Sequence, residues 1–241
     1  MHTTPGKNTE TILTAKQFLD ALSTLQTSQV DNSKFFRDDD TTNKFIGVRM
    51  ADIFTVAKHF IQMPLKEIEK LLDSDYYEAR MGAVSIMDFK ARDKKTTQDT
   101  KKALYAMYIK RHNRINNWDL VDRSAPYVVG GYLFDKDRKP LYKLAKSKNV
   151  WERRTAIVAT YFFIRQDEPD DTFKIAELLV HDKHDLVNKA VGSWVREAGK
   201  RDKEKLLLFL DRFAATMPKV TLRYAVEKLD KNEKEKFMKM Q

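Results

Sequence analysis

Trp118 and Asp122 stand four residues apart, so a helix that starts near residue 116 or 117 carries an indole and a carboxylate on one face, one turn apart. A fixed carboxylate can stabilise a developing positive charge and orient a water, and an indole face attracts cations. The same pattern also fits a buried tryptophan with a solvated aspartate beside it. Arg153 and Arg154 open another predicted helix just after Trp151 and Glu152. The helix dipole disfavours cations there, so the pair calls for a phosphate or a carboxylate, unless it is simply solvated. Lys189, Arg196 and Lys200 recur at spacings of seven and four, a stripe that suits a phosphate backbone or a solvated helix face equally well.

The elements that position these residues are predicted from apolar periodicity and its breaks. Phe18, Leu19, Leu22 and Leu25 recur at helical spacing from Ala15 onward, predicting a helix that ends near residues 31–33. The acidic and polar stretch 38–43 reads as a loop that caps a helix starting near Lys44. Beyond Pro64 the spacing predicts helices over 65–72, 77–89, 96–111, 118–133, 139–145, 150–165, 170–179, 186–198, 203–213, 218–229 and 231–240. An internal echo links Leu71-Leu72-Asp73-Ser74, with Glu78, Arg80 and Ala83-Val84, to Leu144-Ala145-Lys146-Ser147, with Arg153 and Ala156-Ile157. Leu178-Leu179 with Ala190-Val191 repeats it, at a spacing of roughly 34 residues, as stacked helical hairpins do. The expected fold is therefore all-α: an α-solenoid of tandem helical repeats with a concave face. Residues 1–14 are expected to be disordered, and 15–241 to form a single repeat domain.

Composition agrees with that fold. Only 7 Gly and 6 Pro punctuate 241 residues, and 42% apolar content suffices for a continuous core. The absence of cysteine excludes disulfides, thiolate zinc sites and a cysteine nucleophile. His181 and His184, with Asp182 and Asp185, fit a polar turn between helices better than a metal site, so neither metal nor cofactor is expected. Tyr76, Tyr77, Tyr105 and Tyr108 read as interhelical packing. No glycine-rich phosphate loop or nucleophile elbow is present, which disfavours a nucleotide cofactor and acyl transfer. No run of about 18 apolar residues occurs, so no membrane partner is expected and a cytoplasmic location follows. A net charge of +10 points to a polyanion, with nucleic acid the first candidate.

Segments 44–49, Glu78 with Arg80, Trp118 with Asp122, 151–157 and 189–197, in this order and spacing, resemble the DNA alkylation repair family, alkylpurine DNA glycosylases built from HEAT-like repeats. The likeness spans about residues 44–200. It implies a concave, basic groove holding duplex DNA that carries a cationic N3- or N7-alkylated purine, bound by a monomer. It further implies that Trp118 and Asp122 lie against the damaged nucleotide with Arg154 nearby as the catalytic set, hydrolysing the N-glycosidic bond without a base-flipping pocket. Arg154 is expected to lower the pKa of Asp122. Arg49, Arg153, Lys189, Arg196, Lys200 and Trp194 are the expected DNA contacts. One departure stands out. The family's second tryptophan follows the glycine of the Lys-Ala-x-Gly segment directly, whereas here Ser193 fills that position and Trp194 comes next. One residue turns the chain about 100° around a helix, so a core position for Trp194 is the alternative. A non-catalytic protein that binds branched or distorted DNA is the competing reading.

Overall fold

A computed structural model describes residues 12–35 and 43–241. Residues 1–11 and most of the expected capping loop, 38–42, lie outside the described residues. The described residues are helical and fall into two compact units that meet between Ile86 and Met87.

The first unit contains α1 (Ala15–Ser23), α2 (Met50–His59), α3 (Leu65–Leu72) and the first part of α4 (Tyr77–Arg92). A reciprocal cap starts α1: the Thr14 hydroxyl accepts from the Gln17 amide at 3.2 Å, and the Gln17 side chain accepts from the Thr14 amide at 2.8 Å. Phe18 and Leu22, one turn apart, are fully buried, and the helix stops at Ser23, short of the end expected near residues 31–33. In α3 the fully buried residues are Ile68, Leu71 and Leu72, each contributing roughly 1.5–3 kcal/mol of burial.

The helix expected near Lys44 begins instead at Met50. Residues ahead of it are drawn into extended backbone by partners distant in sequence. Lys44 exchanges backbone bonds with Asp75 and Tyr77, and the buried Glu78 carboxylate accepts from the Ile46 and Gly47 amides at 2.9 and 3.0 Å. Those amides are unavailable to a helix.

The second unit holds the rest of α4, then α5 (Gln98–Lys110), α6 (Trp118–Ser124), a π-helical turn (Ala125–Gly130) and α7 (Gly131–Leu133). It continues with α8 (Lys139–Ala145), α9 (Val150–Ala159), α10 (Tyr161–Ile164), α11 (Asp170–Leu179), α12 (Asp185–Gly199), α13 (Lys203–Phe213), α14 (Lys219–Ala225) and α15 (Lys231–Met238). Within it the helices pack as two rows: α6, α9, α12 and α14 in sequence form one, and α8, α11 and α13 the other. The single helix expected over 118–133 is interrupted because Pro126 has no N–H to donate, and the wider π turn absorbs the defect. Gly192 lets α12 and α14 touch: a Cβ there would lie 2.5 Å from the Thr221 carbonyl oxygen. No helix among the described residues is long and apolar enough to cross a membrane.

Candidate active site

One row of the second unit supplies a cavity of about 710 Å³. Its walls are Trp118 and Asp122 of α6, Arg154 of α9, Tyr161 of α10, one face of α12 that includes Lys189, Ser193, Trp194 and Arg196, and Tyr224 of α14. Asn117, in extended conformation, ends the preceding loop, so α6 opens on Trp118 and carries Asp122 one turn along. An Asn149 cap, whose Oδ1 accepts from the Trp151 amide at 2.8 Å, starts α9.

Arg154 is almost wholly buried and grips Asp122 with two parallel bonds, Nε to Oδ1 at 2.9 Å and Nη2 to Oδ2 at 2.7 Å. Its Nη1 donates to the Leu186 carbonyl oxygen. Such a forked pair fixes the carboxylate in direction as well as charge. The Asp122 side chain keeps 32% of its surface open, on the cavity. Burial pushes its carboxyl above the ordinary aspartate range, and Arg154 opposes that rise. The net direction corrects the sequence expectation of a lowered pKa: desolvation outweighs the guanidinium because the pair sits inside the row of helices.

Behind this pair lies a buried polar cluster. The Tyr108 hydroxyl and His112 Nε2 each lie 2.9 Å from the Thr155 hydroxyl. Burial raises the pKa of Tyr108 and lowers that of His112, so both rest neutral beside the Asp122–Arg154 pair at neutral pH.

Of the residues singled out in the sequence, Trp118, Asp122, Arg154, Lys189, Arg196 and Trp194 come together around the cavity. Trp194 is half-buried and lines it beside Ser193, so it is not a core residue. Its ring packs on Tyr161, with centroids 4.8 Å apart. Tyr161 and Tyr224 are aromatic walls that the sequence reading missed. Tyr161 lies seven residues beyond Arg154, a helical spacing that places it on the same face; nothing local marks Tyr224, which arrives across the close approach at Gly192.

The other residues fall elsewhere. Arg153, next to Arg154, turns away from the cavity, donating from Nε and Nη2 to Asp182 at 2.5 and 3.1 Å and from Nη1 to the Ser147 and Lys148 carbonyls. Lys200 pairs with Glu197 at 2.7 Å at the end of α12, and Arg49 precedes α2 in the first unit. Within the cavity, Lys189 pairs with Asp185 at 2.8 Å, and Arg196 lies between Glu197 and Glu227. Each cation of the predicted stripe thus has a carboxylate partner. Arg223 and Lys234, by contrast, have no carboxylate partner among the described residues, and they line a cleft of about 480 Å³ that shares Tyr224 with the cavity. Tyr105 stacks on Tyr132 at 4.7 Å, and Tyr77 and Tyr108 are fully buried, as interhelical packing requires, whereas Tyr76 is exposed, against that expectation.

Comparison with known proteins adds to this geometry. No curated protein matches the chain. Among solved structures, a predicted DNA alkylation repair enzyme from Enterococcus faecalis is similar in fold, with a TM-score of 0.60 at 14% identity, covering 79% of this chain and 90% of that one. Over residues 16–229 the sequence matches the family described as DNA alkylation repair enzyme, and the chain belongs to that family.

Proposed function

We propose that the protein is a DNA glycosylase that hydrolyses the N-glycosidic bond of cationic N3- or N7-alkylated purines in duplex DNA and leaves an abasic site. The observation that carries this reading is the Asp122 carboxylate, held by the Arg154 fork with one side open to a cavity walled by Trp118, Tyr161, Trp194 and Tyr224. Alkylation places positive charge on the base, so the base departs as a neutral molecule without needing a general acid. The sugar left behind has oxocarbenium character. Asp122 lies opposite that charge, stabilises it and orients the water that adds to the anomeric carbon. The aromatic rings hold the cationic nucleotide through their faces. Neutral lesions, which need protonation before they leave, are poor substrates in this scheme. Helices packed in two rows, one of which lines the cavity, support reading the second unit as HEAT-like repeats with DNA along that row.

Release of 7-methylguanine from a labelled duplex tests the proposal. The intact protein releases the base, and Asp122→Asn slows release by about 100- to 1000-fold while duplex binding persists. Equal release by both proteins removes Asp122 from the mechanism. Ser193 favours a second reading, a DNA-binding protein without hydrolase activity, and binding of branched duplex with no base release by the intact protein identifies it.

A further inference from the structure

Asp182 lies outside the cavity, and its carboxylate is nearly fully buried. Oδ2 accepts from Arg153 Nε at 2.5 Å, and Oδ1 accepts from both Arg153 Nη2 at 3.1 Å and the His184 amide at 2.9 Å. Arg153 is in turn bolted to the turn before α9 through the Ser147 and Lys148 carbonyls, both at 3.0 Å. Two residues beyond its own amide bond, His184 caps α12: its Nδ1 accepts from the Leu186 amide at 3.3 Å. The carbonyl of that same Leu186 accepts from Arg154 Nη1. The turn between α11 and α12 and the first turn of α12 are therefore fastened to two adjacent arginines of α9, to Arg153 through Asp182 and to Arg154 through Leu186. Arg154 has three anchors, two on Asp122 and one on Leu186. A shift of the turn moves the third anchor, lets the guanidinium rotate, and opens the fork that aims the carboxylate.

We propose that Asp182 is a positioning residue for the reaction: by binding Arg153 and the His184 amide it sets the Leu186 carbonyl, which locks Arg154 and so directs Asp122 toward the substrate. The proposal rests on the reading of Asp122 as the carboxylate that meets the nucleotide.

The test compares Asp182→Asn with the intact protein in two independent measurements. Single-turnover release of 7-methylguanine at saturating enzyme falls about 10- to 100-fold, as expected for a misaimed group, while duplex affinity is unchanged. Carboxyl-carbon NMR titration of Asp122, which Arg154 of α9 grips, shows its midpoint moving to higher pH, because Arg154 no longer offsets burial. A folded Asp182→Asn protein with an unmoved Asp122 midpoint overturns the proposal, even when its melting temperature or release rate drops, since a merely structural role lowers both without touching that titration. Arg153→Lys, which keeps the charge and loses the fork, gives the same shift in smaller measure and decides the matter where Asp182→Asn does not fold. An intact protein that releases no base sinks the hydrolase reading instead, and the NMR shift still decides whether Asp182 positions Arg154.

Discussion

Two copies of one local design, at residues 74–81 and 147–154, end differently. In the first, Arg80 donates from Nη1 to the Ser74 and Asp75 carbonyls at 2.9 and 3.2 Å. In the second, Arg153 does the same to the Ser147 and Lys148 carbonyls. Both arginines brace the turn that precedes their helix, reaching back six and five residues. The next residue separates the copies: Met81 is buried in the core, whereas Arg154 is a buried cation that holds Asp122. The buried carboxylates differ in the same way. Glu78 is fully enclosed, accepting from the Asn32 side chain and two backbone amides, whereas Asp122 keeps an open side on the cavity. The first copy uses its charges to fasten backbone. The second fastens backbone with Arg153 and sets the neighbouring charge pair on the cavity. The two copies thus keep the same arginine brace and differ at the residue that follows it.

The sharpest way to break this comparison is Arg154→Met, which makes the second copy match the first. Base release is expected to fall about 100-fold or more. The pH profile carries the sign. On the proposed mechanism release needs ionised Asp122 and is expected to be lost as pH falls through its folded-state pKa. Burial already raises that pKa, and removing Arg154 raises it further, so the acid limb of the rate moves to higher pH. An unchanged limb means the guanidinium does not govern the carboxylate. Trp194→Ala is expected to slow release or weaken binding about tenfold, the loss of one stacking wall; an unaffected protein would return Trp194 to a packing role. Arg80→Gln should leave release intact and cost about 1–3 kcal/mol of stability in denaturant titrations, because the charge-assisted hydrogen bonds to the Ser74 and Asp75 carbonyls are lost. Loss of release at constant stability would show that the first copy also serves the reaction. The smallest effect belongs to Arg223→Gln, which is expected to reduce the salt dependence of duplex binding by about one counterion. Lys200→Gln, removing a cation already paired with Glu197, should change the slope less.

Much of this protein is legible in its residues taken in order. Pro64 and Pro218 stand immediately before α3 and α14, and Trp118 and Asp122 share a face because four residues make about one helical turn. Helical spacing is a local property, so the all-α class and most of the helix starts follow from sequence, whereas grouping Trp118, Asp122 and Arg154 rests on the family resemblance. What the chain does with two adjacent arginines is not local. Arg153 and Arg154 project about 100° apart, and only the arrival of Asp182 on one side and Asp122 on the other decides which braces and which faces the cavity. Residues 44–49 leave the helical register because Glu78, some thirty residues later, captures their amides. Tyr224 becomes a wall only because Gly192 lets two helix backbones touch. Desolvation of Asp122, which reverses the direction expected for its pKa, likewise depends on how many atoms of other helices surround it. Sequence determined the elements and the chemistry they carry; packing decided which charges meet, which are shut away, and which stay open.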